Sequence, residues 1–127
     1  MPTRPIPFDP GGSAVTLEIT ITGGQEANYQ IAFFPEAGQR GAYLADRESS
    51  RNGESREIEV PEAPGDLDGD YLVWWIGPYG PDLSVPYRIR IDFSQGQRVV
   101  HSRSYRGTIA ENPAGHLDDG HFITGPG

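Results

Sequence analysis

Residues 67–76 read Leu67-Asp68-Gly69-Asp70-Tyr71-Leu72-Val73-Trp74-Trp75-Ile76, a turn feeding a strand that is apolar on both faces. Side chains along a strand alternate between faces, so Tyr71, Val73 and Trp75 share one side and Leu72, Trp74 and Ile76 the other. One side packs into a core. The second then needs a terminal arm, another element or a partner subunit to cover it.

Outward from this strand the period is two. Val15, Leu17, Ile19 and Ile21 alternate with Thr16, Glu18, Thr20 and Thr22, which predicts a half-buried strand over 14–22. A second strand is expected over 28–34, limited by Pro35, and a short third at 42–45. Residues 46–56 are polar, with Asn52-Gly53 suited to a tight turn, and a short strand follows over 57–60. Val85, Tyr87, Ile89, Ile91 and Phe93 form one face of the clearest strand, which Ser94-Gln95-Gly96-Gln97 joins as a hairpin to a strand over 98–105. No amphipathic helix interrupts the pattern. The expected fold is all-β, a two-sheet antiparallel β-sandwich of about seven or eight strands.

Leu67, Gly69 and Tyr71 resemble the tyrosine corner of immunoglobulin-like and fibronectin-like sandwiches, in which a Tyr opening a late strand bonds back to the preceding turn. The resemblance spans 57–91 and implies an Ig-like architecture and a binding role. The chain departs from that pattern in having no cysteine pair and in carrying both tryptophans on the tyrosine-bearing strand.

The 127 residues suit one domain. Residues 1–12, with Pro2, Pro5, Pro7 and Pro10 around Ile6 and Phe8, read as an extended arm with apolar teeth; 13–110 form the sandwich; 111–127 read as an irregular, Gly-rich tail anchored by Phe122 and Ile123. Without cysteine, the fold rests on packing alone. Neither a signal-peptide core nor a membrane-length apolar run is present, so a cytoplasmic protein is expected, with a specialised export route left open. The 18 Asp and Glu outnumber 10 basic residues, all arginine, for a net charge of -8, which argues against nucleic-acid and membrane partners. Arg88, Arg90, Arg98, Arg103 and Arg106 gather on one hairpin, as a solvated sheet face would allow.

Three constellations carry candidate chemistry. Asp66, Asp68 and Asp70 occupy alternate positions of an oxygen-ligand loop suited to calcium, though the bidentate Glu that would complete it is missing. His116, Asp118 and His121 hold imidazole and carboxylate ligands for zinc or another transition metal. Trp74, Tyr79 and Asp82 pair rigid aromatics with a polar handle near a loop, as binding surfaces do. No nucleophile elbow and no phosphate-cradling glycine loop is found, so no catalytic residue is assigned and no cofactor is required. The leading expectation is a non-enzymatic interaction protein that binds itself or another protein. The alternatives are a carbohydrate-type binding module, with calcium assisting, and a small metal-dependent enzyme using the C-terminal His/Asp cluster.

Overall fold

The computed structural model describes residues 4–35 and 41–125. Nine strands run in chain order among them: β1 (Pro5–Phe8), β2 (Val15–Thr22), β3 (Glu26–Phe34), β4 (Ala42–Ser50), β5 (Ser55–Glu59), β6 (Tyr71–Tyr79), β7 (Tyr87–Gln95), β8 (Arg98–Gly107) and β9 (His116–Thr124). One short 3₁₀ turn, Pro64–Asp66, precedes β6. No helix among the described residues is long and apolar enough to cross a membrane.

The strands form two packed sheets, a β-sandwich. The first has the order β1-β9-β6-β3-β4 and the second β5-β2-β7-β8. All pairings are antiparallel except that of β1 with β9, which is parallel. The period-two strands behave as their alternation requires. Val15, Leu17, Ile19 and Ile21 of β2 and Tyr87, Ile89, Ile91 and Phe93 of β7 point inward, facing Tyr29, Ile31 and Phe33 of β3 and Leu72, Trp74 and Ile76 of β6. Burying such a side chain is worth about 2–3 kcal/mol each, so these rows hold the sheets together.

The count exceeds the expected seven or eight because both terminal segments contribute strands. The arm supplies β1, whose Ile6 and Phe8 are fully buried while Pro5 and Pro7 face outward. Proline is tolerated there because β1 is an edge strand and needs ladder donors on one side only. The segment expected as an irregular tail supplies β9, inserted between β1 and β6. Two chain ends that would fray separately tie each other down, and the T-shaped contact of the Phe8 and Phe122 rings, with centroids 5.9 Å apart, sits at their junction. β4 also runs further than its apolar core at 42–45, reaching Ser50 through irregular pairing with β3 before the Asn52-Gly53 turn, where Gly53 has φ +81°.

The turn before β6 is secured by backbone bonds: the Asp70 N–H donates to the Leu67 carbonyl at 3.0 Å, and the Gly69 N–H to the Phe122 carbonyl at 2.8 Å. Leu67 and Leu72 are buried, whereas Tyr71 stands on the outer face beside the His121 ring.

Candidate functional site

Two regions concentrate unusual side chains: a polar seam between the sheets, and the outer face of the first sheet. The seam follows from register. Inward residues of β8 lie opposite buried residues of β7, with His101 across from Phe93, Arg103 from Ile91 and Tyr105 from Ile89. Inward residues of β9 are likewise His116, Asp118, Gly120 and Phe122, across from Ile76, Trp74, Leu72 and Tyr71's neighbour Asp70. The polar inward side chains of the two strands meet around Trp74.

The Trp74 indole Nε1–H donates to the Tyr105 hydroxyl at 2.9 Å, and that hydroxyl donates to Asp118 Oδ2 at 2.6 Å. Arg103 is 6% exposed; its guanidinium lies 5.1 Å from the Trp74 ring centre, donates to the Asp119 carbonyl at 2.8 Å and pairs with Asp118 Oδ2 at 3.3 Å. The Arg103 Nε–H also donates to His101 Nε2 at 3.0 Å. His116 stacks on Tyr105 with centroids 4.9 Å apart, and its Nε2 is 2.5 Å from the Tyr87 hydroxyl.

Burial and these neighbours set the protonation states. Burial pushes the Tyr105 phenol far above its ordinary value, and its bond to Asp118 pushes the same way. Burial alone would raise Asp118, but the Tyr105 hydroxyl, the Asp119 N–H and Arg103 outweigh it and hold the carboxyl below its ordinary value. His116 is lowered by burial, and His101 by burial and then by Arg103. The result is a neutral Tyr bonded to a carboxylate, with neutral imidazoles flanking them. That is the chemistry of a clasp between sheets, in which the polar groups bond to their neighbours save Arg103 Nη2, which is buried without a hydrogen-bond partner among the described residues.

The expected metal ligands are separated by the same alternation. His116 and Asp118 point inward, whereas His121 lies on the opposite face of β9, near Tyr71. Asp68 Oδ1 accepts the Thr124 N–H at 2.8 Å and its hydroxyl at 3.1 Å, fastening the turn to β9, while Asp66 is exposed and Asp70 buried. Among the described residues, no three His, Asp or Glu side chains are placed together to hold a metal ion.

Of the expected contact residues, Trp74 is corrected: at 1% exposure it is a core residue, because the face it shares with Leu72 and Ile76 packs against the second sheet. Tyr79 is exposed, with its phenol raised chiefly by a hydrogen bond with Glu26. Asp82 closes its own loop, accepting the Ser84 N–H at 3.0 Å and the Ser84 hydroxyl at 2.7 Å.

The neighbouring tryptophan carries the surface instead. Trp75 lies flat along the outer face of β6, so close over Gly77 that a Cβ there would fall 2.3 Å from the ring. Its Nε1–H donates to the Ala114 carbonyl at 2.7 Å, which fixes the ring's orientation. Around it, Leu117, directly across on β9, is 74% exposed and Tyr43 is 62% exposed, while Gln30, directly across on β3, bonds to Asp46 at 2.9 Å. A hollow of about 140 Å³ between them is lined by Gln30, Ala32, Tyr43, Val73, Trp75 and Leu117. Only the doubly apolar pattern of β6 signalled this face in the sequence; Tyr43 and Leu117 stand in short or polar contexts that carry no such signal. In comparisons with known proteins, no family model matches the chain, and no curated protein or solved structure matches it.

Proposed function

We propose that the protein is a non-enzymatic interaction and assembly protein that docks a second copy of itself through the outer face of the first sheet. The observation that supports this reading is Leu117, a projecting aliphatic side chain beside a hollow walled by Tyr43, Val73 and Trp75. Knob and hollow on one surface are self-complementary, because a two-fold operation delivers each copy's knob to the other's hollow. An exposed Leu and Tyr around a fixed Trp ring give contact area at small entropic cost.

The test is solution molar mass by light scattering over a concentration series in about 0.5 M salt, where charge contacts beyond ~4 Å are screened and apolar contacts persist. A multiple of 13.9 kDa that Leu117→Asp with Tyr43→Ser abolishes supports the reading. A monomer throughout, or an oligomer indifferent to these changes, overturns it.

A second reading, a carbohydrate-type binding module, has one observation in its favour. Trp75 presents a ring held flat by Gly77 and pinned by Ala114, as a stacking platform requires. A glycan series that stabilises the wild type and not Trp75→Ala supports that reading instead.

A further inference from the structure

The outer face of the second sheet, which the docking proposal does not involve, carries a charge pattern that the sequence conceals and the register reveals. Glu18 on β2 lies directly across from Glu57 on β5, and Thr16 from Glu59. On the other two strands, Arg88 lies directly across from Arg106, with Arg90 two residues along β7. All six charged side chains point away from the core, since Leu17, Ile58, Ile89 and Ile91 beside them are buried and Tyr105, next to Arg106, packs against the core. Glu18 against Glu57 and Arg88 against Arg106 are like-charge pairs in direct opposition, an arrangement that disfavours a sheet standing alone. Among the described residues, only Arg90 of the six forms an ion pair, with Asp92 at 2.8 Å.

The two like-charged groups occupy opposite corners of one face. The acids sit where β5 and β2 lie beside the Thr16 end, and the arginines where β7 and β8 lie beside the Thr22 end. Strands are about 4.8 Å apart, and residues on one face repeat every ~6.8 Å along a strand, so the face is a nearly regular grid. A two-fold axis lying in the plane of contact, perpendicular to the acid–arginine diagonal, exchanges the corners. It sets Glu57 against Arg88, Glu18 against Arg90 and Glu59 against Arg106 of the other copy, each contact occurring twice. Thr20 and Asp92 lie near the axis, so Asp92, which is paired within its own sheet to Arg90 at 2.8 Å, faces the Asp92 of the other copy, and the strands of the two copies cross at roughly 70°.

We infer that this face is a self-complementary electrostatic contact, and that its occupant is a second copy of the chain. The grid covers roughly 400 Å² per copy from these spacings, which places the contact among small, transient interfaces. Because charge carries it, its strength falls with ionic strength, unlike that of the apolar face.

The experiment is sedimentation velocity on full-length protein carrying Leu117→Asp, which removes the contact proposed for the other face. Two further variants are built on it, one with Arg88→Glu and Arg106→Glu, the other with Glu57→Arg and Glu59→Arg. The expected results are dimerisation of the Leu117→Asp protein that weakens at least tenfold between about 0.05 M and 0.5 M salt, no dimer from either charge variant alone, and dimer restored when the two are mixed. Restoration shows that both variants fold. Absence of dimer in the mixture, or unchanged dimerisation of either variant alone, overturns the inference. Loss with the arginine variant but not with the glutamate variant also overturns it, and assigns the arginine corner to a separate anion.

Discussion

Replacing Tyr105 with Phe removes one oxygen and tests whether the seam clasps the sheets. In the wild type that oxygen accepts from Trp74 Nε1 at 2.9 Å and donates to Asp118 at 2.6 Å. The substitution leaves the phenyl ring in place against His116, so packing changes little. It strands the indole N–H of a residue that is 1% exposed, which costs about 1–3 kcal/mol. It also deletes a bond to a carboxylate, ordinarily worth about 1.5–3 kcal/mol; the lower end applies, because Asp118 keeps Arg103 and the Asp119 N–H and its side chain is 19% exposed to water. The expected loss is therefore about 3 kcal/mol, or roughly 10 °C in Tm for a domain of this size. Urea unfolding followed by tryptophan fluorescence reads it directly, with an unchanged m value showing that the native fold persists. A companion Asp118→Asn variant closes a double-mutant cycle, with a coupling of about 1 kcal/mol expected. A loss below about 1 kcal/mol for Tyr105→Phe would refute the claim that the seam is a stabilising network.

Gly115 has φ +77°, and a Cβ there would lie 2.8 Å from the Ile76 carbonyl oxygen, so Gly115→Ala is expected to cost about 2 kcal/mol in the same urea assay. Phe8→Ala should cost about 3–5 kcal/mol, since the ring is fully buried against Phe122; a cost under 1 kcal/mol would show that β1 is not docked. His116 and His101 are both held below their ordinary values, so the unfolded chain takes up protons first as pH falls. Stability present above about pH 6.5 is then lost below it, by a few tenths of a kcal/mol per pH unit given the rings' partial exposure, and His116→Gln flattens that slope.

The fold was legible wherever burial follows alternation. β2 and β7 present one apolar and one polar row each, and only one register buries the apolar row. The seam was illegible for the converse reason. His101, Arg103 and Tyr105 alternate with Ser102 and Ser104, so hydropathy does not say which row faces in; their inward orientation is set by β9, whose inward His116 and Asp118 supply polar partners across the gap. The same contact explains the choice between two adjacent tryptophans. Trp74 turns inward because Tyr105 satisfies its N–H there, while the Ala114 carbonyl takes that of Trp75 on the outer face. β9 escaped notice because glycines and paired aspartates weaken its pattern, yet Gly120 has a packing role: a Cβ there would come 2.5 Å from Ile6 Cδ1 and 3.3 Å from Arg103 Nη2. Spacing in the sequence brought His116, Asp118 and His121 together, but pleating divides them.

The two outward faces place different demands on assembly. They lie on opposite sides of one sandwich, so the two proposed two-fold contacts taken together would not close a ring of two; they would generate an open row in which the two contacts alternate. The length of such a row is governed by its weaker joint. On the chemistry described, that is the charged one, whose screened ion pairs make it the joint that salt opens first. Low ionic strength should then favour rows and high ionic strength the apolar dimer alone. The acidic excess of the chain works in the same direction: with a net charge of -8 per copy, each added subunit meets growing repulsion, so rows stay short unless the matched corners are in register. If both proposed contacts form, the charge pattern on the second sheet both permits extension and limits it, while the outer face of the first sheet sets the unit that is extended.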